Sequence, residues 1–457
     1  MRTEPAAAGP GPGPGPESAT PPDPLAGRRV LVLISGSIAA VKLPLVVSAL
    51  VRRGAEVRCV VSPAAARLVS PVALASLSRR PCHGDDDAWN PACPRPLHVE
   101  LAEWAELVLL APLSASTLGR WVHGIGDTLL AAVLLACEAP VLVAPAMNTA
   151  MWASPGVAAN WQTLQGWPGL LPLSPGSGLL ACDRIGDGRM AEPERLLLGL
   201  ESLASWGWRR DWLGRRLLVS AGPTREPLDP ARCLTNPSTG LMGLSLAQAA
   251  LLRGAEVDLV HGPLTAPAAL LEGLRSHPIQ TAAELERALI GLQPGASAIA
   301  MAAAVADHRR AAPATVKLAK HDLEASLAQG WEAVPDLLAG LVARRPPGQA
   351  ILGFAAYSGE ALASVRAKFA RKGCDLLFAN PIDRPLAGFA STSNAGWLLG
   401  PGDGATWLDP APKLAIAHRL LSALGALLDA ADPAAPLRPP GAVPQPPPTP
   451  PPAAAAP

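Results

Sequence analysis

Apolar runs that end in small residues alternate along this 457-residue chain with stretches whose apolar positions recur at helical spacing. The first run, Arg28-Arg29-Val30-Leu31-Val32-Leu33-Ile34-Ser35, is continuous, as expected of a strand covered on both faces. A helical pattern follows and closes at Gly54, and Ala55 to Ser62 is a second run of the same kind. The same order returns at Arg215 to Gly222, with a longer loop, a helix to Gly254 and a strand from Ala255 to Val260. The pentapeptide Arg-Gly-Ala-Glu-Val stands at both 53–57 and 253–257. Each copy predicts a strand–helix–strand opening with parallel strands. Further continuous runs at 107–111, 141–144, 297–301, 349–354 and 375–379 alternate with helical segments. The fold class predicted is α/β, with two doubly wound domains.

Residues 1–26 and 431–457, rich in Pro, Ala and Gly, cannot build a core and are expected to be disordered tails. A linker is expected at 206–214, in the Trp-rich segment Trp206–Trp212, leaving domains over 27–205 and 215–430. The longest apolar stretch, Leu129 to Met147, approaches the length of a membrane span. Glu138 and Pro140 divide it, so a helix followed by a short buried strand is expected instead. The 38 basic and 37 acidic side chains balance, which gives no support for nucleic-acid or anionic-membrane partners. Seven scattered cysteines with no C-x-x-C pair argue against a disulfide framework or zinc ribbon. Reduced thiols in the cytoplasm fit better, and no secretory signal precedes the first strand.

In such sheets ligands sit at the carboxyl ends of the strands, so the loops there are where chemistry is read. Ser35-Gly36-Ser37-Ile38-Ala39-Ala40 opens the first helix with small residues, whose backbone N–H groups can hold a phosphate. Ser114, Ser116 and Thr117 follow another strand, Asn148 follows Pro145-Ala146-Met147, and Cys182 lies in a Gly-rich loop. Taken singly, each has a bland reading: a helix cap, a turn amide, a packed thiol. Together with His98-Val99-Glu100-Leu101 they occur in the order and spacing of flavin-dependent cysteine decarboxylases.

The first half resembles phosphopantothenoylcysteine decarboxylase over about residues 28–200, most specifically in Pro145-Ala146-Met147-Asn148 followed by Met151-Trp152. The resemblance implies a flavodoxin-like domain binding FMN, with Gly36, Ser37, Ser62, Ser114 and Thr117 lining the flavin site. It also implies that His98 assists thiol oxidation, Asn148 orients the substrate carboxylate and Cys182 protonates the enethiol left after CO₂ departs. Oxidising the thiol first makes sense, because a thioaldehyde can accept the electrons that carboxylate loss releases. Ser116 stands where many relatives carry Asn.

In the second half, Ala221-Gly222-Pro223-Thr224-Arg225-Glu226-Pro227-Leu228-Asp229-Pro230 follows a strand and leads to Asn236-Pro237-Ser238-Thr239-Gly240-Leu241 before a helix. Asp307, Lys317, Pro335-Asp336-Leu337-Leu338, Phe354 and the pair Lys368 and Lys372 follow. At i, i+4 the two lysines alone read as a solvated helix face. The set resembles phosphopantothenate–cysteine ligase over about residues 213–425, a Rossmann-like domain. The bacterial form activates the carboxylate with CTP and Mg²⁺ before cysteine attacks. By this resemblance Asn236 holds the acyl-cytidylate and Lys317 stabilises the activation step. Asp307, Lys317, Pro335, Asp336, Leu337, Leu338, Phe354, Lys368 and Lys372 contact the nucleotide, and no metal ligand is assigned. Pro237, Leu241 and Tyr357 replace His, Lys and Glu. The substrates implied are 4'-phosphopantothenate, cysteine and CTP, and the assembly implied is a homo-oligomer with trimeric decarboxylase and dimeric ligase contacts.

Overall fold

The computed structural model describes all residues except 1–20, 92–94, 180–182, 360–361, 384–387, 389–390, 403 and 432–457. Six parallel strands form the first sheet: β1 Arg29–Ile34, β2 Glu56–Val61, β3 Cys82–His83, β4 Leu107–Leu113, β5 Val141–Pro145 and β6 Leu170–Pro172. Their order is β3-β2-β1-β4-β5-β6, so the chain reverses its direction of travel between β1 and β4. That switch point opens a crevice at the carboxyl edge. A hairpin, β7 Gly176–Leu179 and β8 Ile185–Arg189, follows.

The second sheet is built from β9 Arg216–Ala221, β12 Glu256–His261, β13 Arg275–Pro278, β14 Ala298–Met301, β17 Ala350–Tyr357, β18 Leu376–Pro381, β19 Ser393–Leu399 and β20 Ala405–Pro412. Its order is β13-β12-β9-β14-β17-β18-β19-β20, parallel up to β18, with β19 and β20 antiparallel beyond. Two small hairpins stand apart, β10 Arg225–Asp229 with β11 Arg232–Thr235, and β15 His308–Arg310 with β16 Trp331–Ala333. The continuous apolar runs are buried strands, as expected, while the hairpins and the antiparallel pair were not foreseen. Leu129 to Met147 folds as the helix Leu129–Ala136 and then β5, as its Glu and Pro imply. Helix Lys413–Ala431 is long and apolar enough to cross a membrane by length and composition. Its apolar face, including Ile416, Leu420 and Leu424, is buried in the second core.

The repeated pentapeptide has one structural job in both copies. Gly54 and Gly254 take positive φ values of 81° and 93°, ending a helix with a conformation that glycine adopts without strain. The preceding arginine reaches an aspartate just ahead of each sheet's first strand: Arg53 Nε donates to Asp23 at 2.6 Å, and Arg253 Nε to Asp211 at 2.8 Å. Asp23 and the fully buried Leu25 therefore belong to the first domain. The expected tail over 1–26 is too long at its inner end, because a packed leucine and an ion pair tie residues 23–25 down. Residues 1–20 of that tail, and the tail beyond Ala431, lie outside the described residues.

The expected linker is also packed. Helix Pro193–Trp206 carries Trp206 on its last turn, and Trp212 is completely buried in the second core. Trp206 stacks on His418, ring centroids 5.8 Å apart, and Arg253 lies 3.9 Å from the Trp206 ring. Ser202 Oγ meets His418 Nε2 at 3.1 Å, so a helix of the first domain is bound to the last helix of the second.

Burial, reinforced by the Arg253 charge, pushes the His418 imidazole down to about 3. Between that value and the ordinary one near 6.5, the unfolded chain takes up a proton that the folded chain refuses. Stability therefore falls as pH drops below about 6.5, by up to about 2 kcal/mol at pH 5. Urea unfolding of the His418→Phe variant at pH 7 and pH 5 should show a pH sensitivity smaller by that amount. Equal sensitivity in both proteins would remove His418 from the account.

Candidate functional sites

At the first crevice, Ser35 joins β1 to β4. Its hydroxyl donates to the Pro112 carbonyl at 2.7 Å and accepts from the Ser114 N–H at 2.8 Å. Gly36 comes next, and a Cβ there would lie 2.4 Å from Ala64 Cβ, so only glycine lets this loop pass the segment capped by Ser62. Ser37 precedes the short helix Ile38–Lys42 and makes no capping bond with its own hydroxyl. The result is a turn of small residues at the switch point, with a hydroxyl and helix-start amides uncommitted to a side-chain cap, which fits a phosphomonoester. Ser62 and Ser114 both cap helices, accepting from Ala65 N at 3.2 Å and Thr117 N at 3.3 Å. The Ser62 hydroxyl can still donate, because accepting occupies only a lone pair. That of Ser114 is directed to Thr117 Oγ1 at 3.2 Å, and Thr117 is buried. Ser116 is exposed beside them.

Asn148 starts the helix Thr149–Trp152 at the end of β5. Its Oδ1 accepts from Met151 N at 2.9 Å, which leaves its two amide hydrogens for a ligand. The β7–β8 hairpin is folded onto the same loop. Met147 N donates to the Gly188 carbonyl at 3.0 Å, and a Cβ on Gly188 would come 2.2 Å from Met147 O. A Cβ on Gly186 would meet Thr149 Oγ1 at 2.4 Å, and that hydroxyl is buried with no hydrogen-bond partner. Cys182, between β7 and β8 in sequence, lies outside the described residues. His98 is half-buried in the first turn of helix Leu97–Trp104, which runs back to β4. A helix entering a parallel strand begins at the carboxyl edge, so His98, Asn148 and the serines share one edge of the sheet. The structure therefore brings Asn148 to the hairpin and His98 to the same rim.

The second site is a pair of adjoining cavities of about 290 and 360 Å³ at the carboxyl edge of the second sheet. Asp307, Phe354 and Lys368 line both and form their shared wall. The larger is closed by Pro335, Asp336, Leu337, Leu338 and Lys372. Asp336 caps helix Leu337–Ala343 through Ala339 N at 3.1 Å and accepts from Lys372 Nζ at 2.6 Å. Burial raises its carboxyl, but the Lys372 and Ala339 bonds outweigh that and hold it below the usual range. Burial, then neighbouring Lys372 and Arg371, pull the Lys368 ammonium below its ordinary value. The smaller cavity is lined by Asn236 and by the start of helix Leu241–Leu252. Asn236 Nδ2 donates to the carbonyls of Ala304 and Val305, both at 3.2 Å, leaving Oδ1 as its acceptor.

Eight of the nine residues expected to contact the nucleotide thus line the double cavity. Lys317 does not: it is exposed, next to Leu318, whose N–H donates to Asp229 Oδ2 at 3.2 Å. Sequence reasoning missed Asn380, Asn394 and Lys413, which line the smaller cavity. Only Lys413 carried a signal, as the one cation at the start of the apolar last helix. Among the described residues no three His, Cys, Asp or Glu side chains are grouped as metal ligands.

Residues 18–204 match the Flavoprotein family, and residues 212–427 match the family described as DNA/pantothenate metabolism flavoprotein C-terminal domain. The coenzyme A biosynthesis bifunctional protein CoaBC of Vibrio cholerae is 37% identical over 372 residues, 81% of this chain and 91% of its own. The protein of the same name from Mycobacterium bovis is 38% identical over 419 residues, 87% of this chain and 96% of its own. Among solved structures, the C-terminal domain of a CoaBC protein is 25% identical and covers 48% of this chain and 99% of its own, with a TM-score of 0.40.

The contact of Gly188 with Met147 leaves no room for a methyl group, at a φ of 119° that L-residues avoid. Gly188→Ala is therefore expected to unseat the hairpin without unfolding the sheet. Trypsin should cut after the exposed Arg184 several-fold faster than in the unmodified protein, with an unchanged circular dichroism spectrum. An unchanged cleavage rate would show that the hairpin does not depend on this contact.

Proposed function

The chain belongs to the CoaBC family of bifunctional coenzyme A biosynthesis proteins, and on that premise we propose how its two halves divide the work. The second half joins cysteine to 4'-phosphopantothenate, and the first decarboxylates the 4'-phosphopantothenoylcysteine formed to 4'-phosphopantetheine. The observation that carries the ligase reading is the shared wall of the two cavities. Two substrates that must react with each other need adjoining chambers with a common boundary.

CTP occupies the chamber of Pro335 to Leu338, with Lys368 and Lys372 beside its phosphates. Mg²⁺ bound with the nucleotide would neutralise phosphate charge, and Asp307 or Asp336 would supply a carboxylate to it. A carboxylate oxygen of phosphopantothenate attacks the α-phosphorus at the shared wall, and pyrophosphate leaves. The cysteine amine then attacks the acyl carbon, CMP leaves, and an amide remains. Asn236 holds the mixed anhydride through its free Oδ1, accepting a hydroxyl or amide hydrogen of the pantothenoyl chain. Lys317 comes from its exposed segment to the developing charge of the activation step.

In the first half, the Gly36–Ser37 turn would hold the phosphate of FMN, and Ser62, Ser114 and Thr117 would line the cofactor. Bound FMN would supply the two-electron oxidation of the thiol-bearing carbon and its later return. His98 takes the thiol proton, the base role that imidazole side chains fill. The Asn148 amide donates to the substrate carboxylate and holds it for departure, and Cys182 returns a proton to carbon. The enzyme works in the cytoplasm, in keeping with free thiols at Cys59, Cys82, Cys137, Cys233 and Cys374. It assembles through trimeric decarboxylase and dimeric ligase contacts.

Purified protein should be yellow. Incubated with phosphopantothenate, cysteine and Mg²⁺, it should yield phosphopantetheine and CO₂ with CTP, and far less with ATP, by mass analysis. No amide product with either nucleotide would overturn the ligase assignment. The Cys182→Ser variant should make phosphopantothenoylcysteine at the usual rate and release no phosphopantetheine. Undiminished release would remove Cys182 from its role.

A further inference from the structure

Lys413 begins the last helix, and its side chain reaches back into the smaller cavity of the ligase half. It is 3% exposed, and its Nζ donates to the Gly388 carbonyl at 3.3 Å. Of the three charged side chains lining that cavity, Asp307 and Lys368 belong to the wall shared with the nucleotide chamber. Lys413 is the charged side chain of the smaller chamber that the nucleotide chamber does not share.

The same chamber is lined by the start of helix Leu241–Leu252, which packs against the last helix and is entered through Gly240 in the left-handed conformation. A Cβ on Gly240 would lie 3.1 Å from Gly222 Cα, and one on Gly243 would lie 2.8 Å from Ser220 O, so the helix start is pressed against the end of β9. The Gly240 and Leu241 N–H groups donate to Ser238 Oγ at 3.3 Å and Thr239 Oγ1 at 3.4 Å, so the positive end of the helix, two lining hydroxyls and an ammonium border one small chamber, a setting suited to a phosphate. Leu241 lines the same wall with no charge of its own.

On the reading above, phosphopantothenate must place its carboxylate at the shared wall to reach the nucleotide. Its phosphate, at the other end of the molecule, then falls in the part of the smaller chamber away from that wall. We propose that Lys413 is the specificity-determining residue of the ligase half, contacting the 4'-phosphate and so selecting phosphorylated over unphosphorylated pantothenate. Burial lowers its ammonium to about 8, which leaves it mostly protonated at neutral pH, and a bound dianion favours that form further.

The test compares ligation of 4'-phosphopantothenate and of pantothenate by the full chain and by the variants Lys413→Met, Lys413→Arg and Lys413→Met with Leu241→Lys. Lys413→Met should raise KM for phosphopantothenate about tenfold or more, the loss of one charged hydrogen bond. Its KM for CTP should stay within about twofold, and its preference for the phosphorylated substrate should shrink by the same factor as the KM rise. Lys413→Arg should retain the preference. Leu241→Lys, which brings an ammonium to the same chamber from the facing helix, should restore part of it. An unchanged circular dichroism spectrum and a cooperative thermal transition of the ligase half, with CTP still bound, report whether the variants are folded. Undiminished preference in a folded Lys413→Met variant would overturn the proposal, as would a rise confined to KM for CTP. Should Lys413→Met fail to fold, loss of the preference in a folded Lys413→Arg variant would equally overturn it. Failure of the unmodified chain to ligate either acid would instead overturn the ligase reading itself.

Discussion

Strands that all run one way deliver their outgoing loops to one edge, and at that edge backbones must approach more closely than side chains allow. Both halves of this chain meet that constraint at their switch points. In the first, Ser35 holds the β1 and β4 ends together through Pro112 and Ser114, and Gly36 slips past Ala64. In the second, the Gly262 position would place a Cβ 1.8 Å from Pro223 O, while Ala304 N donates to Gly222 O and Thr224 N to Ala304 O. The first seam spends one buried hydroxyl, and the second runs from backbone to backbone. Both fix the loops that line each site and leave the Ser37 hydroxyl, the Asn148 N–H donors and Asn236 Oδ1 for ligands.

The two halves also share a device for closing the first helix. An arginine ends that helix, a glycine reverses the chain, and an aspartate ahead of the first strand accepts the guanidinium. In the second half the same arginine does more: Arg253 Nη1 donates to the carbonyl of His418 at 2.8 Å, and its guanidinium lies over Trp206. One residue thereby links the end of the first domain, the opening of the second and the last helix. The first turn of that helix also carries Lys413, so the packing that joins the domains helps to hold a wall of the ligase cavity.

Much of this was legible in the sequence because the signals were local. A buried parallel strand is a continuous apolar run, and a helix end followed by a tight reversal needs glycine, so the βαβ openings could be read from neighbouring residues. The loops could be ranked because the fold sends ligands to the carboxyl edge. What stayed hidden was set by distant contacts. Leu25 and Asp23 sit in a Pro-rich segment and look like tail until Arg53 and the core are brought to them. Trp206 and Trp212 look like a linker until His418 and Arg253 arrive from elsewhere. Lys413 shows in the sequence only as a cation opening an apolar helix, and the packing of that helix against helix Leu241–Leu252 turns it into a cavity wall. The β19–β20 extension also escaped notice, because β19 opens with Ser393-Asn394 and carries Gly396 instead of a continuous apolar run, and most of β20 is not buried.

The two asparagines show how one side chain type can serve opposite needs. Asn148 spends its oxygen on a helix cap and keeps its N–H donors, whereas Asn236 spends its N–H donors on two carbonyls and keeps its oxygen. In the proposed decarboxylation the carboxylate is the leaving group, and a donor that binds it without neutralising it fully fixes its direction of departure. In the proposed ligation the carboxylate is the nucleophile, and a donor at its oxygens would blunt the attack. An acceptor there grips the substrate through its hydroxyl or amide hydrogens and leaves the carboxylate oxygens reactive. The backbone hydrogen bonds that orient each amide therefore decide which chemistry its site can support, and neither amide could take the other's place without breaking them.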